Sequence, residues 1–421
     1  MPAPQHSFID VAPDSHFPIQ NLPFGVFEPR TGGSSRVGVA IGDYVLDLCT
    51  LEDRGLFVTP EFQGHRVFGD PALNAFLALG RPAWRKAREV IQYLLNAETA
   101  ALRDDAAWRA QALIPQADVR MRLPARIGDY TDFYSSYHHA NNVGTMLRGA
   151  ENALMPNWKH LPVGYHGRAS SIVVSGANVR RPHGQTKAAD APAPSFGPTK
   201  SLDYELETAF LIGPGSALGE RIPIDHATDH IFGLVLMNDW SARDVQGWEY
   251  QPLGPFLAKN FCTSISPWVV TLEALEPFRR PLPPQDPEPL PYLRAKRDAT
   301  YDIQLEARLQ TAKMNSPYVI TRTNFQNLYW SIAQQLAHHA VGGCNLQPGD
   351  LLASGTISGP TEESRGCMLE LTWRGANPLT LPNGEVRRWL EDGDRLTITG
   401  WAQGEGFRVG FGEVTGRIVP A

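Results

Sequence analysis

Cysteine is scarce in this 421-residue chain: Cys49, Cys262, Cys344 and Cys367 stand far apart, with no CxxC pair. That spacing excludes a cysteine-caged zinc and a disulfide-stapled scaffold, and it implies free thiols in reducing surroundings. Residues 1–17 lack the apolar stretch of a secretory signal and carry Pro, Asp and His instead. Nowhere is there an apolar run of the ~18 residues that a membrane-crossing helix requires. A soluble, cytoplasmic protein with no membrane partner is expected. Positive charge is also short: 38 Lys and Arg against 44 Asp and Glu give a net charge of −6, with no basic patch. Nucleic acid is excluded as a partner on that ground. HExxH, Gly-x-Ser-x-Gly and Cys/His signatures are missing too, which disfavours zinc hydrolysis and a covalent nucleophile. Water is the attacking group that remains.

What the chain does have is glycine and proline, 38 and 35 residues spread along its length. With 42% hydrophobic residues, this composition points to a loop-rich, mainly β fold around a sizeable core. The length suggests two structural units. After an irregular arm over residues 1–20, short strands are expected at 25–27, 36–41 and 44–48, with Gly42–Asp43 as a tight hairpin turn. Helices are expected at 83–96, with Pro82 in the first turn, and at 104–113. Pro115 closes this region, so the units divide as 1–118 and 119–421. The larger unit reads as strands at 170–174, 203–212, 233–237, 301–309, 368–373 and 396–400. One helix is expected at 324–341, stopped by Gly342–Gly343. Residues 185–199 and 278–291 read as exposed loops.

Chemistry concentrates first in residues 127–149, which hold two acids, three tyrosines, the pair His138–His139 and Arg148. A packed core would have to satisfy all of these groups, and a surface loop has no need of them. In the strand at 203–212, Glu205 and Glu207 share a face, roughly 7 Å apart at ~3.4 Å per residue. Either this is an edge strand with both acids in water, or one acid's pKa rises or a cation sits between them. Asp239 ends the apolar run 233–237, and Asp132 is a fourth acid. Together they form an oxygen-only ligand set for a hard cation such as Ca²⁺ or Mg²⁺. If residues 240–250 turn helically, Arg243, Gln246 and Tyr250 lie on one face, with Lys259 shortly after, and offset the acids. A general base needs a partner to fix its tautomer, and Glu370, the lone acid of 367–373, is the candidate partner for His138 or His139. His338 and His339 read as residues at a helix C-terminus.

The blocks IGDYTDFYSS, HANNVGTMLRG, NWKHLPVGYHGRASSIVVSG, HIFGLVLMNDWSARDVQGWEYQPLGPFLAKNF and LLASGTISGP resemble the fumarylacetoacetate hydrolase family over nearly the whole chain. The resemblance implies an N-terminal SH3-like barrel, a C-terminal β-roll and a homodimer. It implies Ca²⁺ on Asp132, Glu205, Glu207 and Asp239, and Mg²⁺ near Asp239, Lys259 and Thr263. It selects His139 as the base held by Glu370, with Arg243, Gln246 and Lys259 around the developing charge. Tyr134, Arg148, Tyr165, Gln246, Tyr250 and Thr356 become substrate contacts. The implied reaction is hydrolysis of the carbon–carbon bond of a β-diketo acid, fumarylacetoacetate, in tyrosine and phenylalanine catabolism. Two rivals are weighed against it. One is a different enzyme on the same scaffold, a fumarylpyruvate-type hydrolase, an oxaloacetate decarboxylase or an isomerase; decarboxylation needs the metal but not the dyad. A Ca²⁺-stabilised binding module leaves His139, Glu370 and Lys259 without a purpose.

Overall fold

Strands Arg36–Ile41 and Tyr44–Asp47 form the hairpin expected from the break at Gly42–Asp43, with Val39 opposite Leu46 and Ile41 opposite Tyr44. Gly42 has φ +52°, a turn conformation that side chains resist. The computed structural model describes residues 6–296 and 299–421, so part of the N-terminal arm, residues 1–5, lies outside the described residues. The hairpin belongs to a five-stranded antiparallel sheet whose outer members are Leu113–Pro115 and Val119–Arg122. Val119–Arg122 pairs with Phe24–Pro29, so this sheet draws on residues on both sides of position 118. Helix Arg81–Leu95, with a proline in its first turn, buries Trp84, Ala87, Ile91, Leu94 and Leu95 as their spacing predicts. Helix Ala106–Ala112 starts at Asp105, whose carboxylate accepts from the Trp108 N–H.

The rest of the chain is mainly β. An eight-stranded sheet runs Gly164–His166, Tyr130–Phe133, Leu351–Ala353, Leu206–Ile212, Ile231–Asp239, Thr263–Ile265 and Ile172–Val174, with Val270–Thr271 also paired to Ile231–Asp239. Its two long central strands are buried at every residue. Ala209, Leu211, Val235 and Met237 pack toward the N-terminal unit. Leu206, Phe210, Leu234 and Leu236 pack against the second, five-stranded sheet, through Leu305 and Ile398. A strand covered on both faces must be apolar on both, which explains the unbroken hydrophobic runs in the sequence.

Several expected elements form differently. The strand at 203–212 breaks at Tyr204–Glu205 into Leu202–Asp203 and Leu206–Ile212. It is a central strand, so the reading of two glutamates on a solvated edge is excluded. The strand at 368–373 is instead a single helical turn, Met368–Leu371. Asp203 decides this: its carboxylate accepts the Met368 and Leu369 N–H groups at 2.6 and 3.0 Å, an anion placed at a helix N-terminus. Trp373 and Arg374, at φ +48° and +59°, end the turn. The helix at 324–341 begins later, as Ile332–Ala340 under a Ser331–Gln334 capping box. The residues before it are a strand end, a 3₁₀ turn and a bridge from Leu328 to Ser136, so tertiary pairing overrides the helical spacing there. Within 185–199 the chain pairs as a hairpin, His183–Thr186 with Ser195–Pro198, still largely exposed.

Candidate active site

On a strand, alternate residues share a face. Along the face that packs on the N-terminal unit, Ala209, Met237, Tyr130 and Ile265 are the last apolar residues of their strands. Two positions further on, the alternation brings Glu207, Asp239, Asp132 and Thr263. The acids appear where the apolar face stops. Glu205 joins them from the break just before its strand. One carboxylate oxygen from each of Asp132, Glu205, Glu207 and Asp239 lies within 4.8 Å of the other three, all four side chains buried.

Two cations reach this cluster. Lys259 Nζ donates to Glu205 Oε2 at 2.5 Å and to Asp239 Oδ2 at 2.7 Å. Arg243, at the start of helix Arg243–Glu249, lies 2.8 Å from Glu205 Oε1 through Nη1 and donates to Asp203 Oδ2 at 2.8 Å through Nε. Burial opposes ionisation of Glu205, yet Lys259 and Arg243 outweigh it and hold its carboxyl well below the usual range. Glu207 and Asp132 are pushed up, first by burial and then by the neighbouring carboxylates. Both oxygens of Glu207, and Oδ1 of Asp132, have no hydrogen-bond partner among the described residues. Oxygen-only donors, unfilled lone pairs and excess negative charge together fit a hard divalent cation.

The second half of the site is an imidazole–carboxylate pair. Strand Tyr130–Phe133 leads to helix Tyr137–Arg148, capped by Ser136, whose hydroxyl accepts the His139 N–H. In its first turn, His139 points Nδ1 at Glu370 Oε2, 2.6 Å away. Glu370 also accepts from Asn142 Nδ2 at 2.9 Å, Ser358 Oγ at 2.7 Å and Cys367 Sγ at 3.2 Å. Burial would raise its carboxyl, but His139, Asn142 and Ser358 bring it down to about 2. His138 is half-buried and lies outside this arrangement. His338 and His339 bond Tyr292 and Thr131 instead.

The remaining candidates spread from the cluster to its rim. Tyr134 is edge-on to the His139 ring at 5.3 Å, Tyr165 OH donates to Asp239 at 3.4 Å, and Thr263 Oγ1 donates to Asp239 at 3.0 Å. Gln246 accepts from Arg243 Nη1, and Tyr250 lies one turn on, half-exposed, bonded to Gln251. Arg148 is exposed at its helix end, where its guanidinium donates to the carbonyls of Asn152 and Ala153. It is not drawn into the acid cluster. Among the described residues, Thr356 Oγ1 and Arg243 Nη2 are buried without partners, two donors free for a bound molecule.

Residues 20–124 match the family described as Fumarylacetoacetase N-terminal, and residues 130–419 match Fumarylacetoacetate (FAA) hydrolase C-terminal. The chain belongs to the fumarylacetoacetate hydrolase family. Within that family, fumarylacetoacetase from Bos taurus is 58% identical over 416 residues, covering 99% of each chain. The human protein of that name is 57% identical, again over 99% of each chain, and the one from Arabidopsis thaliana is 56% identical, over 99% of this chain and 98% of that one. Among solved structures, fumarylacetoacetate hydrolase from psychrophilic Exiguobacterium antarcticum superposes with a TM-score of 0.51 at 17% identity, over 95% of this chain and 100% of that one. That likeness concerns the fold alone.

Four residues of the site were not evident in the sequence: Asp203, Asn142, Ser358 and Cys367. Asp203 lies two positions before Glu205 in the same acid-rich stretch, which was a usable signal. Nothing local marks Ser358, because its partners arrive from residues 136, 366 and 370.

Proposed function

We propose that this enzyme hydrolyses the carbon–carbon bond of 4-fumarylacetoacetate, giving fumarate and acetoacetate, the closing step of tyrosine and phenylalanine catabolism. The observation that carries the reading is the buried His139–Glu370 pair next to a four-carboxylate cluster, in a chain 56–58% identical to proteins named fumarylacetoacetase.

His139 gives its Nδ1 proton to the hydrogen bond with Glu370, which leaves Nε2 as the base. Nε2 takes a proton from water as the oxygen adds to the fumaryl carbonyl, and Glu370 stabilises the imidazolium. The tetrahedral oxyanion collapses, the carbon–carbon bond breaks, and its electron pair leaves on acetoacetate as an enolate. The imidazolium returns the proton to that carbon. Arg243, Gln246 and Lys259 supply donors and positive charge for the oxyanion and enolate. Tyr134, Arg148, Tyr165, Tyr250 and Thr356 are assigned to holding the substrate. Asp132, Glu205, Glu207 and Asp239 would hold Ca²⁺, with Mg²⁺ near Asp239, Lys259 and Thr263. A bound divalent ion there contributes Lewis-acid polarisation of the diketone oxygens.

The same reading takes the chain as an SH3-like N-terminal unit, 1–118, and a β-roll catalytic unit, 119–421. It takes the assembly as a cytoplasmic homodimer. Four free cysteines fit a reducing compartment. Leu253 and Phe256, 95% and 67% exposed, and the less exposed Trp248 and Leu257 are apolar residues that a second copy would cover.

The test follows loss of the diketone absorbance of fumarylacetoacetate, with fumarate and acetoacetate identified as products. No turnover by metal-loaded enzyme would sink the substrate. Undiminished turnover by His139→Ala would sink the base.

A further inference from the structure

Glu370 is buried, and four donors converge on its two oxygens. They come from three parts of the chain: His139 and Asn142 from one helix, Cys367 from the residue before the Glu370 turn, and Ser358 from the segment after strand Leu351–Ala353. Ser358 differs from the rest in how its proton is fixed. Its Oγ accepts the Gly366 N–H at 2.9 Å, which directs its own hydrogen toward Glu370 Oε2. Its backbone is tied to the base as well. The Ser136 hydroxyl accepts from both the His139 N–H and the Ser358 N–H, at 3.3 Å each, and donates to the Ser358 carbonyl at 3.0 Å.

We propose that Ser358, with Asn142, is a positioning residue for the dyad: the two fix both oxygens of Glu370 so that one faces His139 Nδ1 and the imidazole is held as a base on Nε2. The inference rests on the reading of His139 and Glu370 as the water-activating pair. With donors on both oxygens, Glu370 has little acceptor capacity for a second orientation, and the proton between the pair resides on the imidazole. Among the described residues, the side chains of Ser358 and Asn142 donate to Glu370 and not to the acid cluster, so their part is confined to the base. The thiol of Cys367, a weak donor, adds least.

The experiment measures kcat and KM against pH for Ser358→Ala, Asn142→Ala and His139→Ala in the full-length, metal-loaded protein. Losing a donor concentrates charge on the Glu370 oxygens and raises the proton affinity of the pair. Ser358→Ala is expected to lower kcat about 10–100-fold with KM within about twofold, and to move the acid limb of kcat/KM upward in pH. Asn142→Ala, at a partly exposed residue, should move the limb the same way, and it carries the test if Ser358→Ala strands the Gly366 N–H and does not fold. A fall in kcat with the limb unmoved in every folded variant would mean a merely structural role and overturn the proposal. Full activity in His139→Ala would instead overturn the dyad reading on which it rests, so the two failures are distinguishable.

Discussion

His139 Nδ1 and Glu370 Oε2 lie 2.6 Å apart, with the two side chains only 5% and 0% exposed. Glu370→Gln keeps the shape but can present an amide N–H to Nδ1, which favours the wrong tautomer. We expect kcat to fall on the order of 10³–10⁴-fold, while circular dichroism and unfolding midpoint stay near wild type. A variant within about tenfold of wild type would remove Glu370 from the mechanism.

Glu207 has two buried oxygens and no donor among the described residues, so its charge is costly without a cation and useful with one. In chelator, Glu207→Gln should melt at or above the wild-type temperature. On addition of Ca²⁺ or Mg²⁺, wild type should gain stability and the variant should gain little. Scanning calorimetry with and without each ion reads this directly. An equal gain in both proteins would move the cation elsewhere.

A third prediction concerns the N-terminal arm. His16 Nδ1 accepts the Gly412 N–H at 3.0 Å, and its carbonyl accepts the Gly410 N–H. Burial first, then Arg408 and Arg308, lower its pKa from 6.5 to about 4. A lowered pKa means the neutral ring stabilises the fold above pH 6.5. Between 6.5 and 4 the unfolded chain takes up a proton that the folded one refuses, and stability falls. The loss is at most roughly 1.4 kcal/mol per pH unit. His16→Gln should flatten that part of the stability–pH curve relative to wild type, measured by urea unfolding. An unchanged slope would count against His16 as the group responsible.

Gly144 lies on the helix that carries His139, and a Cβ there would sit 1.7 Å from the Ala153 carbonyl oxygen. Gly144→Ala must therefore push the helix or the following loop aside. We expect a stability loss of about 1–3 kcal/mol by denaturant unfolding, together with lower kcat because the base moves. Wild-type values for both would show that the loop yields freely.

Much of this was legible in the sequence because it was local. The Gly42 hairpin, Pro82 in the first turn of its helix, and Asp239 at the end of an apolar run all announce themselves within a few residues. Glu370 is the instructive failure. Alternating leucines around it predict a strand, yet Asp203, far away in sequence, takes two backbone N–H groups and makes a helical turn. Likewise, residues 324–331 show helical spacing, but Leu328 is held extended by its bridge to Ser136. A pattern records which residues are buried, not which distant group will claim their backbone.

Asp203 also bonds the Arg243 Nε at 2.8 Å, so one carboxylate holds the turn bearing Glu370 and the arginine that reaches Glu205. The two halves of the site therefore lack independent freedom to open. Hydrogen exchange at the Met368 and Leu369 amides should report on Arg243 as much as on their own turn, because neither can be freed without releasing the shared anion. We expect the site to melt as a single cooperative unit.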